Sequence, residues 1–230
     1  SEITYGLACF AEIRNKKTLK IMSVGCGPCT ELAAVDYLKE KGVLNYEKLQ
    51  YRGIDPLGNV WRRIWSDIKE YFGNGINFYQ KDILELVDII TRHSWVPDVL
   101  IFQYVFSDMY KHSDEEEIIQ FINKLADFLN SYEEKSIYIL CNDINLTKSK
   151  GGGREFFDIL ESKINKPKIV KKRHFDNINR ERHYEYGEQY NSNVLVFDDI
   201  SDEIKNAYSP FESCASAQIL IKKEQKEVIR

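Results

Sequence analysis

Leu19-Lys20-Ile21-Met22-Ser23-Val24-Gly25-Cys26-Gly27-Pro28-Cys29-Thr30-Glu31-Leu32 decides how this chain is read. An apolar run ends in Gly-x-Gly, and an amphipathic segment follows at once. That is the pattern of a strand turning sharply into a helix. Glycines at Gly25 and Gly27 reach backbone conformations closed to other residues and let a ligand approach closely. Pro28 has the fixed φ and missing N–H suited to the first turn of a helix. Unpaired N–H groups at that helix start favour polar or negative ligand groups, so a ligand site is expected at this turn.

Three readings of the turn compete. A dinucleotide fold wants G-x-G-x-x-G after a strand. Here Thr30 stands at the sixth position from Gly25, so that fingerprint is incomplete. Cys26-Gly27-Pro28-Cys29 matches the thioredoxin-type C-G-P-C redox motif. The third reading is the glycine turn of class I S-adenosylmethionine-dependent methyltransferases, commonly G-x-G-x-G or a close variant.

The downstream sequence separates them. Leu49 to Asp55 reads as a second strand ending in an acid, thirty residues past Gly25. In a Rossmann-like sheet such an acid accepts hydrogen bonds from ribose hydroxyls. Ile76 to Asp82 reads as a third strand, again ending in an acid. Pro97 to Tyr104 reads as a fourth and Lys135 to Asp143 as a fifth. Acids at consecutive strand ends have no role in a thioredoxin-like site. Such sites also usually carry Trp before the first Cys, where this chain has Gly25.

Over roughly residues 19 to 175 the chain therefore resembles the class I methyltransferases. The resemblance implies an α/β, Rossmann-like, seven-stranded sheet with helices on both faces and S-adenosyl-L-methionine as cofactor. It implies that Gly25, Cys26 and Gly27 line the methionine part and that Asp55, followed by Pro56, holds the ribose. It implies that Asp82 accepts from the adenine amino group with Ile83 packing nearby, and that Gln103 and Tyr104 border the transferred methyl. Ser23 stands where an acid often precedes the first glycine, and Cys29 where a third glycine often sits.

Length and composition agree with one large α/β domain over 1–230. Lys plus Arg number 32 against 36 acids, so bulk charge does not suit a protein that coats nucleic acid. The five cysteines, Cys9, Cys26, Cys29, Cys141 and Cys214, are an odd count that fits a reducing compartment. They contain one close pair, so a Cys₄ zinc site lacks its second half and no metal is expected. No apolar run approaches the ~20 residues of a membrane span, and no signal segment opens the chain. A cytoplasmic location is the expectation.

Residues 1–15 carry Leu7, Phe10 and Ile13 at helical spacing and predict a leading helix over the cleft. Helices are expected over Thr30 to Lys41, Asn59 to Phe72 and Ile83 to His93. Val60, Trp61, Ile64, Trp65, Ile68 and Tyr71 mark the sheet-facing side of the second of these. Ser113-Asp114-Glu115-Glu116 matches a capping box that starts another helix. The Gly151-Gly152-Gly153 loop precedes a helix with Phe156, Phe157, Leu160 and Ile164 on its apolar face. Lys168 to Phe175 is expected as a sixth strand and Ser216 to Lys222 as the last, inserted antiparallel beside it. The 176–214 stretch between them is too long for a hairpin loop and reads as an insertion, with a strand at Val194 to Phe197 and a helix at Asp202 to Tyr208.

Methyl transfer is an in-line displacement in which the protein positions the reactants and excludes water. An oxygen nucleophile usually needs a general base, and a nitrogen needs its lone pair free. Asp143, Asp108, His112 and Tyr104 are the candidates near strand ends. Asn-Pro-Pro-Tyr and Asp-Pro-Pro-Tyr are absent after the fourth strand, which argues against the usual exocyclic-amine DNA enzymes. Between residues 163 and 183, eight Lys/Arg face two acids. An RNA substrate held by Lys171, Lys172 and Arg173 is one expectation; a solvated strand edge is the other. A methyltransferase-like binding or scaffold domain without turnover is the alternative function.

Overall fold

The computed structural model describes residues 2–88, 95–176, 185–191 and 216–225. Its strands are β1 (Thr18–Val24), β2 (Lys48–Ile54), β3 (Ile76–Tyr79), β4 (Val99–Gln103), β5 (Ile137–Ile144), β6 (Pro167–Asp176), β7 (Glu188–Asn191) and β8 (Ser216–Lys223). They form one sheet in the order β3-β2-β1-β4-β5-β8-β6-β7. β8 runs antiparallel to β5 and β6, and the other pairings are parallel. The antiparallel last strand therefore sits where the sequence places it. The sheet has one strand more than the seven expected. The extra strand, β7, lies at the edge beside β6, inside the stretch read as an insertion. It is four residues of Glu-Gln-Tyr-Asn, without the apolar run that marks the inner strands.

The helices are α1 (Glu2–Ala8), α2 (Thr30–Glu40), α3 (Gly58–Phe72), α4 (Val105–His112), α5 (Glu115–Ser131) and α6 (Glu155–Lys163). Parallel strands buried on both faces read as continuous apolar runs, and β4 (Val-Leu-Ile-Phe-Gln) is one. Leu19, Ile21, Ile101, Leu140 and Leu220 pack against α1, α2 and Trp65 of α3. Met22, Val24, Phe102, Cys141 and Ile219 face α4, α5 and α6. Helices on both faces follow from this alternation.

Several expectations need correction. The capping box starts one residue later than the sequence pattern: Asp114 accepts from the Glu117 N–H, and Glu117 accepts from the Asp114 N–H. Shifting by one lets Ser113 end α4, a short helix the sequence analysis did not find. Asp108 and His112 lie on that helix. Trp65 is buried, but Val60, Ile64 and Tyr71 on the same helix are exposed, so the apolar side of α3 is only partly covered. The segment after β3 begins as a short 3-10 turn, Ile83–Glu85; the end of the helix expected to reach His93 lies outside the described residues. So do the strand expected at Val194 to Phe197, the helix at Asp202 to Tyr208, and Cys214. Among the described residues no helix is long and apolar enough to cross a membrane.

Helix α1 lies close on the sheet because Gly6 allows it. A Cβ there would stand 2.5 Å from Leu140 Cδ1 and 3.3 Å from Leu220 Cδ2. The segment continues into a 3-10 turn, Ala11–Ile13, and Leu7, Phe10 and Ile13 are buried as their spacing predicts.

Candidate functional site

The turn after β1 is bound by side chains from β2 and α3. Gly25 has φ +62° and Gly27 φ +47°, the left-handed region that glycine enters without strain. Gly27 N–H donates to Asp55 Oδ2 at 2.9 Å, and Leu57 N–H donates to Asp55 Oδ1 at 2.8 Å. Trp65 Nε1 donates to the Gly27 carbonyl at 2.9 Å. Asp55 is buried, so its carboxylate joins the end of β2 to the glycine turn. A Cβ at Gly25 would lie 2.9 Å from Val105 Cγ2 and 3.6 Å from Ile83 Cδ1, so the turn, the segment after β3 and the start of α4 meet at one point. Trp61 lies against Gly27, and its buried Nε1 donor has no partner among the described residues.

Thr30, the first residue of α2, donates to Gln103 Oε1 at 3.3 Å and ties the turn to the end of β4. Tyr104 follows in a left-handed conformation, φ 58°, an unusual state for a bulky residue and one that clusters at functional sites. Its N–H donates to the Asn142 carbonyl. Asp82 and Pro56 are exposed, and Asp82 accepts from Leu84 N–H. The structure thus brings Gly25, Cys26, Gly27, Asp55, Pro56, Asp82, Ile83, Gln103 and Tyr104 to the carboxyl ends of β1 to β4.

The candidates for acid–base work are placed differently. Asp143 is fully buried and accepts from the Ser107 and Ile144 N–H groups. Burial pushes its carboxyl up, and the hydrogen bonds to Ser107 oppose that. Its Oδ2 holds the first turn of α4. Asp108 and His112 are exposed and face one another at 3.8 Å along α4. Tyr104 points its hydroxyl at Glu2 Oε2, 3.0 Å away.

Sequence reasoning did not find Glu2. Its Oε2 also accepts from Asn142 Nδ2 at 2.6 Å, its Oε1 accepts from Ser216 Oγ at 2.6 Å, and its carbonyl accepts from Gln218 Nε2 at 3.0 Å. No local signal marks a single acid near the start of a helix; only the packing of α1 brings it over the strand ends.

A second buried acid lies under the turn. Glu31 accepts from the Tyr51 hydroxyl, and burial pushes its carboxyl up against the pull of its Ser23 and Tyr51 donors. Ser23 thus hydrogen-bonds an acid in the first turn of α2 instead of supplying one. Cys26 and Cys29 are free and buried, and their mutual hydrogen bond together with burial pushes the Cys26 thiol far up. A thiol held in that form is a poor nucleophile, which disfavours the redox reading.

The basic triple does not form an exposed lip. Arg173 is buried and donates through Nε and Nη2 to Gln218 Oε1. Lys171 pairs with Glu188 and Lys172 with Asp158. In the loop before α6, Lys148 pairs with Glu115, and Arg154 donates to Asn145.

No family model and no curated protein matches this chain. Solved structures match it in fold. A Listeria monocytogenes protein assigned to the class I S-adenosylmethionine-dependent methyltransferases is 16% identical, with a TM-score of 0.51 over 99% of this chain. This chain spans 59% of that structure's length. An rRNA methylase from Streptococcus thermophilus is 9% identical, with a TM-score of 0.51 over 98% of both chains. The YcgJ protein of Bacillus subtilis is 11% identical, with a TM-score of 0.50 over 98% of both. The chain has the fold of the class I S-adenosylmethionine-dependent methyltransferases.

Proposed function

We propose that the protein is an S-adenosylmethionine-dependent methyltransferase. One observation carries the reading: the buried Asp55 carboxylate at the end of β2, bound to the Gly27 N–H of the glycine turn and to the Leu57 N–H two residues on. A carboxylate offers about four acceptor sites, so a ribose diol can still be taken at its remaining lone pairs. The surroundings fit the cofactor. The bare Gly25 lets Val105 and Ile83 close against the turn, and Trp61 Nε1 presents a buried donor beside it. Exposed Leu57 and half-buried Ile83 offer apolar faces for an adenine, and Asp82 an acceptor for its amino group. Gln103 and Tyr104 stand at the methyl end. When bound, the cofactor supplies an activated methyl on sulfur. The residues of this chain orient it and keep water from it.

Nothing in this reading calls for RNA. With Arg173 buried and both lysines paired, the case for a basic lip at Lys171, Lys172 and Arg173 loses its carrier. The likeness to an rRNA methylase at 9% identity is one of fold. A binding or scaffold domain without turnover shares the cofactor site and differs only in producing no methylated product.

Calorimetric titration with S-adenosylmethionine and S-adenosylhomocysteine tests the assignment. Both should bind, and Asp55→Ala should weaken binding at least about tenfold, because a hydrogen bond to a charged group contributes about 1.5–3 kcal/mol. No binding by the wild type, or equal binding by the variant, overturns it. Labelled-methyl transfer to a cell extract then separates an enzyme from a scaffold.

A further inference from the structure

A polar row crosses four neighbouring strands on the face that α1 covers. Gln103 of β4 is in register with Asn142 of β5, Asn142 with Gln218 of β8, and Gln218 with Arg173 of β6. One step earlier along the strands the same face is apolar: Ile101, Leu140 and Leu220 are in register and fully buried. The change from aliphatic to polar happens in one step under Glu2. We propose that this row is a subsite for a small primary or secondary amine, whose N–H donates to Asn142 Oδ1 beside the Glu2 carboxylate. As methyl acceptor, a role that rests on the methyltransferase reading, the bound ammonium would pass one proton to the Glu2 carboxylate, and its freed lone pair would take the methyl as the sulfur leaves as a neutral thioether; binding at the subsite does not depend on that step.

The chemistry follows from the orientation of one amide. Asn142 is fully buried, and its Nδ2 donates to Glu2 Oε2 at 2.6 Å. A carboxylate only accepts, so the amide nitrogen must face it and the amide oxygen must face away. That oxygen has no hydrogen-bond partner among the described residues. An unpaired buried acceptor costs about 1–3 kcal/mol, an amount that a donor supplied by a ligand recovers. A bare acceptor next to a carboxylate selects an N–H donor and a positive charge, which together describe an alkylamine. An anion or a hydrogen-bond acceptor is rejected by the same pair.

The geometry that places Glu2 is fixed by α1. Gly6 sits on Leu140, and Glu2 lies four residues up the same helix face, about 6 Å along the axis. Asn142 lies two residues past Leu140, about 6.6 Å along the strand. The two steps match, so the carboxylate lands over the row. Tyr104, 38% exposed, bonds the same Glu2 oxygen as Asn142 does, so the amide lies one residue below the surface. Gln103 at the near end of the row bonds Thr30 on the glycine turn, which makes the row continuous with the cofactor cleft.

The test uses n-propylamine, n-propyltrimethylammonium and propionate as probes at neutral pH, followed by ligand-observed NMR on the full chain. Propylamine should bind. The quaternary probe has the same charge without an N–H and should bind about tenfold or more weakly, the loss expected for one charge-assisted hydrogen bond. Propionate should not bind. Asn142→Leu and Glu2→Gln should each weaken propylamine by a similar factor; Glu2→Gln lies at the surface end of the row and carries the test where Asn142→Leu does not fold. Equal binding of the two cations, binding of propionate in their place, unchanged binding by a folded variant, or no binding of propylamine overturns the proposal. S-adenosylhomocysteine titrated into the same samples keeps the two ideas apart: if it binds and propylamine does not, the subsite fails alone, and if it does not bind, the methyltransferase reading fails.

Discussion

At the glycine turn, side chains bond to backbone. Asp55 takes the Gly27 and Leu57 N–H groups, and Trp65 donates to the Gly27 carbonyl. At the β4–β5–β8–β6 end, side chains bond to side chains from distant parts of the chain. Glu2 bonds Asn142 and Ser216, 140 and 214 positions away, and Arg173 bonds Gln218. The first arrangement is a local device, a sharp turn that needs particular residues at short spacing. The second needs strands far apart in sequence to pair in one register. A residue at the turn is therefore expected to act on ligand affinity, and a residue in the row on folding as well as on ligand choice.

The largest effect sharpens that contrast at Arg173. Arg173→Glu buries an acid against Gln218 in place of a cation. It should destabilise the protein by about 3–5 kcal/mol, the scale for leaving a buried charge uncompensated. Lys171→Glu and Lys172→Glu, at half-exposed ion pairs, should each change stability by no more than about 1 kcal/mol. Urea denaturation measures all three. Equal, small effects would return Arg173 to the surface and revive the basic lip, as would salt-sensitive RNA binding that the lysine double variant abolishes.

Asp143 breaks the comparison if it behaves like Asp55. Its carboxylate accepts from the Ser107 N–H in the first turn of α4 and from the Ile144 N–H beside it at the end of β5. Asp143→Ala should lower stability by about 1–3 kcal/mol, the scale for a buried group left without its partner, and leave S-adenosylhomocysteine affinity near wild type. Loss of methyl transfer at unchanged stability and affinity would make Asp143 a catalytic base instead.

Glu31 gives a smaller, pH-dependent effect. Its folded pKa is raised above the ordinary 4.5 by burial. Between those two values the folded state holds more protons than the unfolded chain, so this group's contribution to stability falls as pH rises through that window and then levels off. Glu31→Gln keeps an acceptor for Tyr51 and removes the charge. Its thermal midpoint should exceed that of the wild type at pH 8, and the difference should shrink as pH falls to 4.5. A variant less stable than wild type at pH 8 would show that the carboxylate, and not the acid, is the folded form.

The smallest effect belongs to Cys26 and Cys29. Their double replacement by Ala should leave cofactor affinity within a few fold, because their place in the turn depends on size. The native thiols should react slowly with disulfide reagents, since Cys26 is buried with its thiol pushed up. Disulfide reductase activity that needs both cysteines would overturn this.

The glycine turn was legible because its causes are local. Gly25, Gly27 and Pro28 each have one dominant backbone preference, and acids at strand ends recur at a spacing a reader can follow. Helix α4 was missed because Val105 to His112 follows the apolar run of β4 with no break in pattern; its start is held by Asp143, 36 positions on from Ser107. The exposed part of α3 was misread for a related reason: a helix's apolar side shows where it could bury, not how much of it the sheet reaches.

The sequence by itself determined the glycine turn, the strand-end acids, the parallel core and the inserted antiparallel strand, since each follows from backbone preference or apolar periodicity over a few residues. Tertiary structure decided the polar row, the place of Glu2 over it and the burial of Arg173. Those depend on which residues of β4, β5, β8 and β6 stand side by side, and register is fixed by the packing of the whole sheet: a slip of one residue would turn every side chain of a strand to its other face.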